Sequence, residues 1–308
     1  MLNILGKRYL FFAISLVLIL PGLIVMAIFG LPLSIDFKGG SLLEVEFASN
    51  TLPAPAEVVA LYNDLGITDA QVTTTGNNTL LIRSSFIDEE TRASVLQTMN
   101  SRFNDKVTIR RFESVGPTIG KEVAGRATLA VSIAALAVIL YITWAFRGVH
   151  NAFRYGVCAI IAMIHDVLVV ISLVSIGGLL FGWQVDALFL TALLSVIGFS
   201  VQDKVVVFDR IRENSQIYRK LDFEKLANHS IVQTLQRSIN TQLMTVEYML
   251  LAMALFGGIT LREFSIILLV GLFMGTYSSI FIAAPTLVIW ESGEWRNWFK
   301  RGPKPASA

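Results

Sequence analysis

Long apolar runs constrain this chain more than any other feature. One occupies residues 9–29, and others fill much of 129–290, interrupted only by short polar or glycine-rich stretches. A helix crossing a hydrocarbon core of about 30 Å needs roughly 20 residues at about 1.5 Å each. Six segments meet that length: 9–30, 127–146, 153–176, 185–207, 234–256 and 264–290. The expected breaks carry loop chemistry. They are residues 147–151, Gly177-Gly178 with Gly182, the polar stretch 209–233, and Gly257-Gly258 through Glu263. Composition agrees, because only 16% of residues are charged, where a soluble domain carries about 25%.

Residues 7 and 8, Lys and Arg, give the first run the basic flank of a secretory signal. The run is longer than a usual signal core and no clear A-x-A site follows it, so it reads as a retained helix. A net charge of +2 gives little support for a general nucleic-acid affinity. The one cysteine, Cys158, lies in an apolar run and reads as a small packing residue. His150, His165 and His229 show no metal-ligand spacing, so no metal or other cofactor is expected.

Orientation follows the positive charges. Lys7, Arg8, Arg147, Arg154, Arg210, Arg212, Arg219, Lys220, Lys225, Arg296, Lys300, Arg301 and Lys304 fall on one side, whereas the short loops of the other side contain only Arg262. Both termini are therefore expected in the cytoplasm and the segment 31–122 outside. That segment alternates as 41–47 strand, 55–65 helix opened by a proline, 70–75 and 79–84 strands around Gly76-Asn77-Asn78, 88–103 helix with Asp88 as N-cap, and 106–112 strand. The order βαββαβ matches a ferredoxin-like split unit, a fold that names no function by itself. Glu113, Asp88 and Glu89 read as solvated surface charges. The domains expected are 1–30 (first span), 31–122 (external domain), 123–292 (five further spans) and 293–308 (cytoplasmic tail).

Ionisable groups inside spanning helices cost about 2.5–3.5 kcal/mol each on insertion scales, which makes them functional candidates. Asp203 is flanked by apolar residues on both sides, and its short side chain cannot reach water as the neighbouring Lys204 can by snorkelling. Arg237 opens the fifth span, with Asn240, Thr241 and Thr245 after it, a polar stripe that should face the bundle interior and offer Asp203 a partner. His165 and Asp166 point about 100° apart on the third span. One is expected to face the polar seam and the other to reach backbone or water, in a proton relay or in structural hydrogen bonding. Glu247 either extends a proton path outward or faces a partner chain. No GxxxxGK[ST] motif occurs, so an ion gradient is the available energy source.

Several motifs then carry a resemblance. Ile35-Asp36-Phe37-Lys38-Gly39-Gly40 follows the first span, and Val115-Gly116-Pro117 with Gly120-Lys121-Glu122 leads into the second. GFSVQDKVVVFDRIREN at 198–214, containing Gly198, Ser200 and Gln202, and TLQRSINTQLMT at 234–245, containing Asn240 and Thr241, mark the fourth and fifth spans. Together they resemble the SecF family, the smaller subunits of the SecDF component of bacterial protein export. Gln202 and Phe199 depart from the residues usual there, and Glu247 is not part of the family pattern.

The resemblance implies an α-helical membrane protein of six spans, half of an RND-type bundle, with the external ferredoxin-like domain inserted after the first. It implies a SecD partner supplying the other half-bundle, contact with the SecYEG channel and its accessory subunits, and an unfolded polypeptide as cargo. It also implies proton movement through Asp203 and Arg237, and no bond-breaking chemistry. An RND-type exporter of small molecules or lipids is the alternative, and would normally need two such halves and larger external domains. An intramembrane enzyme using His165, Asp166 or Glu247 lacks a paired catalytic motif. A passive scaffold would tolerate neutral replacements at Asp203 and Arg237.

Overall fold

Helices follow the apolar runs in the computed structural model, which describes residues 3–49, 52–74, 78–147, 152–242 and 248–297. Contacts divide the chain into two compact units, Leu33–Ala130 and Met1–Pro32 with Val131–Ala308. Among the described residues, five helices are long and apolar enough to cross a membrane: Leu5–Phe29, Pro117–Ala145, Phe153–Phe181, Ala187–Ile217 and Leu261–Glu291. The expected segment 234–256 begins within α8 (Phe223–Gln242) and ends at α9 (Tyr248–Phe256). Glu247 and Thr245, like His150 and Gly76-Asn77, lie outside the described residues.

In the apolar unit, α1 (Arg8–Phe29) lies against α6 (Ala152–Phe181). A Cβ on Gly22 would stand 2.3 Å from Ser172 Cα, so glycine permits this approach, and Ser172 Oγ donates to Leu18 O at 2.9 Å. Two expected breaks do not interrupt helices. Gly177-Gly178 stay inside α6, where the missing side chains make room for the Trp183 ring and Pro32, and the helix stops only before Gly182 at φ +72°. The polar stretch after Asp209 also stays helical, because α7 (Ala187–Ile217) runs two further turns. The i,i+3 pairs Arg212–Asp209 and Arg210–Glu213, both 2.6 Å, suit a helix leaving apolar surroundings for water. Asn214 then ties α7 to α8 through Ser230 Oγ (2.8 Å) and Gln233 Oε1 (2.9 Å).

Helix α10 (Ile259–Ser278) passes into a π turn, Ser279–Ala283, and then α11 (Ala284–Glu291). Pro285 lacks the amide that would bond Phe281 O, which accounts for irregular bonding just before it. At one end of this unit Arg8 meets Glu224 of α8 (3.2 Å) and Glu294 after α11 (2.7 Å), and Arg154 meets Glu291 (2.8 Å). The start of α1, the start of α8 and the C-terminal turn are thereby at the same end.

The second unit holds a short helix α2 (Ile35–Lys38), then β1 (Gly40–Phe47), α3 (Pro55–Asp64), β2 (Gln71–Thr74), β3 (Thr79–Ser84), α4 (Glu89–Phe103) and β4 (Val107–Val115). The sheet order is β2-β3-β1-β4 with every neighbouring pair antiparallel. Leu43, Val45 and Phe47 alternate inward along β1, as a half-buried strand requires, and meet Leu80 and Ile82 of β3. Val58, Leu61 and Tyr62 of α3 with Val95 and Met99 of α4 complete one core. Asp88 caps α4 by accepting from Thr91 N at 2.9 Å.

The glycine pair that starts β1 has a steric reason. Gly39 adopts φ +76°, and a Cβ there would stand 2.7 Å from Pro117 Cα. A Cβ on Gly120 would stand 2.6 Å from Gly39 N. The backbone before β1 therefore lies directly on the first turn of α5 (Pro117–Ala145), with no space for a side chain between them.

Candidate ion-coupling site

Two glycines bring α10 onto α7. A Cβ on Gly271 would stand 2.2 Å from Val196 Cγ2, and one on Gly275 would stand 3.3 Å from Ser200 Cα. This four-residue spacing of small residues lets two backbones approach closely. One turn further along, the facing residues are polar: Ser200, Asp203 and Lys204 on α7, and Thr276 and Ser278 on α10. Helix α6 supplies His165 and Asp166 to the same region.

Asp166 sits at the centre and is 1% exposed. Its Oδ2 accepts from Ser200 Oγ (2.5 Å), Ser278 Oγ (2.8 Å) and Lys204 Nζ (2.8 Å). Lys204 is fully buried, and its ammonium also reaches Ser278 Oγ (2.9 Å), Ser200 O (3.3 Å) and Ser200 Oγ. An ammonium carries three donors, and the Asp166, Ser200 and Ser278 oxygens satisfy all three. Removing charges from water costs several kcal/mol per ion unless geometry and further hydrogen bonds compensate, and here both conditions hold.

His165 lies beside this cluster. Its Nδ1 is 3.0 Å from Asp166 Oδ1, and its ring stacks on Tyr277 with centroids 6.2 Å apart. An ionised Asp166 only accepts, so Nδ1 carries the proton in this arrangement. Nε2 is buried and has no hydrogen-bond partner among the described residues. The expectation that adjacent residues would separate, one to the seam and one to backbone or water, is therefore corrected. Asp166 Oδ2 takes Ser200, Lys204 and Ser278, while Oδ1 faces the histidine next to it.

Asp203 is buried and accepts from Thr276 Oγ1 at 2.9 Å. Arg237 lies elsewhere. Helix α8 packs through Leu226, Ala227, Ser230, Ile231, Thr234 and Ser238, while Arg237, Asn240 and Thr241 are exposed. Arg237 forms no ion pair with a described acid. Gln202 and Gly198 are also exposed on α7, whereas Ser200 is buried in the cluster. The polar stripe of α8 thus faces away from this chain's own helices rather than inward. Among the described residues no group of three or more His, Cys, Asp and Glu could hold a metal ion.

Lys204 is the residue that sequence reasoning missed, because it reads as a snorkelling helix-end charge. Its signal was present: Val205, Val206, Val207 and Phe208 follow it directly, the same apolar flank that singled out Asp203.

Comparison with known proteins places this architecture. Residues 95–293 match the family described as protein export membrane protein SecD/SecF, C-terminal, and residues 24–50 match the SecD/SecF GG motif. The latter range contains the Gly39-Gly40 joint. The chain is 93% identical over 308 residues to a protein translocase subunit SecF of Anaerolinea thermophila, covering 100% of both chains. It is 43% identical over 321 aligned positions to that of Thermobaculum terrenum, again covering 100% of both. The crystal structure of SecDF, a translocon-associated membrane protein from a Thermus species, superposes with a TM-score of 0.82 at 31% identity, covering 94% of this chain and 39% of that one. The chain belongs to the SecD/SecF family of protein-export membrane proteins.

Proposed function

We propose that this chain is the SecF-like half of a proton-driven SecDF complex, which helps to move polypeptides across the cytoplasmic membrane through a SecYEG channel. The observation that carries this reading is the buried acid Asp203, held by Thr276 of α10 and next to the neutralised Asp166–Lys204 pair. We assign the fixed charge to Asp166, which is paired with Lys204, and the change of proton occupancy to Asp203, whose carboxylate accepts from the Thr276 hydroxyl of a different helix and so feels helix movement. Protonation removes its charge and weakens its pull on any nearby cation. Moving one charge through the membrane potential supplies about 2.3 kcal/mol per 100 mV, enough to bias a two-state bundle.

Arg237 supports a partner. An arginine exposed at membrane depth costs about 2.5–3.5 kcal/mol on insertion scales, so the Arg237–Asn240–Thr241 face is suited to another protein surface. A SecD half-bundle covering α7 and α8 would shelter it, and a shift of α8 would bring the guanidinium towards Asp203. In this reading the segment 234–256 is the fifth of six spans, and both termini are cytoplasmic, consistent with the Arg8–Glu224–Glu294 cluster at one end. The unit Leu33–Ala130 is extracytoplasmic and ferredoxin-like, a reading supported by its strand order and all-antiparallel pairing. It holds or pulls the emerging polypeptide, and the chain performs no bond-breaking chemistry.

The test is Asp203→Asn, which keeps size and hydrogen-bonding capacity but cannot ionise. Proton-dependent export in inverted vesicles should fall at least tenfold with the protein still present in the membrane. Undiminished export would overturn the mechanism.

A further inference from the structure

Lys204 is placed as an ion would be placed. Four oxygens from three helices surround its nitrogen: Asp166 Oδ2 at 2.8 Å, Ser278 Oγ at 2.9 Å, Ser200 O at 3.3 Å, and Ser200 Oγ. One carboxylate, one carbonyl and two hydroxyls make a donor set of hard oxygens, the kind that binds hard cations. The set carries a single negative charge, so a monovalent cation neutralises it and a divalent one would leave a buried excess. Lys204 and all three oxygen-bearing residues are buried. Close packing of Gly271 and Gly275 against Val196 and Ser200 fixes the α7 and α10 sides of this cage.

We propose that Asp166, Ser200 and Ser278 form a monovalent-cation seat filled by the chain's own Lys204 ammonium, a tethered ion that keeps free sodium out of the α6–α7–α10 junction. This deepens the proton-coupling reading by naming the ion class that the junction refuses. The seat itself is tested by binding alone, so its failure and the failure of that reading are separable. A lysine stem delivers the charge along α7 without any dehydrated ion having to enter. The Asp166 carboxylate stays neutralised whatever the external sodium concentration.

The experiment uses the full chain in detergent, comparing sodium chloride with choline chloride at equal ionic strength. Wild type should unfold at the same temperature in both salts and bind no radioactive sodium in an Asp166-dependent manner. Lys204→Ala opens the cage, and sodium should then raise its Tm by about 3–6 °C with saturable sodium binding. Both effects should vanish in Lys204→Ala/Asp166→Asn. If Lys204→Ala yields no folded protein in choline, extraction in sodium or ammonium chloride should recover it. Lys204→Met, whose stem fills the same path without charge, should not gain a sodium response. Asp166-dependent sodium binding by wild type would overturn the proposal. So would a folded Lys204→Ala without a sodium response, or failure of both cations to recover it.

Discussion

Asp166 and Lys204 share a place where neither could stand alone. The pair is closed by Ser200 and Ser278 and has no access to water. Breaking a buried pair by removing one partner is costly because the other charge is left uncompensated, typically by about 3–5 kcal/mol. Asp166→Asn should therefore destabilise the folded chain by about that amount in chemical denaturation. A variant as stable as wild type would mean that Lys204 escapes to solvent. Residue reading reached Asp203, His165 and Asp166 because their apolar flanks are local properties of the chain. It could not reach Lys204 in the same way, since a long stem allows two destinations and hydropathy does not say which is taken. The deciding partner lies 38 residues away on another helix.

Elements were legible where one period dominates. The apolar runs, the Asp88 cap and the alternating β1 residues each state their structure within a few positions. Helix ends were less legible, because Gly177-Gly178 look like punctuation yet serve as packing gaps for Trp183 and Pro32. The same logic makes Gly271 a demanding position. Val196 has a stiff branched side chain, so Gly271→Ala must push α7 and α10 apart. Overpacking of this kind costs about 1–3 kcal/mol, and a thermal melt of the purified chain should show a lowered Tm, with Gly198→Ala, where a Cβ meets open space, as the neutral control.

In the sheet-bearing unit, Asp105 is held below the usual carboxylate range by the Ser49 hydroxyl and amide, and Asp88 by Thr91. A depressed folded value means stability that is present above the unfolded value of about 3.9 and lost as pH falls through the folded one. Amide-exchange protection factors, corrected for the intrinsic pH dependence of exchange, should therefore fall at the ends of β1 and α4 below about pH 4. Protection unchanged down to about pH 2 would count against this role.

At the scale of the whole molecule, a polar face stands exposed among the described residues. Arg237, Asn240, Thr241 and Gln202 are all exposed. If a second half-bundle covers them, single cysteines at positions 240 and 202 should crosslink to that partner in native membranes, while a cysteine at Phe153, 76% exposed on another helix, should not. Absence of any crosslink from 240 and 202 would place the partner elsewhere. The family resemblance implies a half-bundle, but which faces are left exposed depends on packing between distant helices.

The cluster of Arg8 with Glu224 and Glu294 has a mechanical meaning. Glu224 stands in the first turn of α8 and Arg237 thirteen residues later, about 20 Å along the axis. With that foot held by the Arg8 ion pair, a tilt of α8 about it would carry the Arg237 guanidinium further than Glu224, and the pivot would be an arginine from the other end of the sequence.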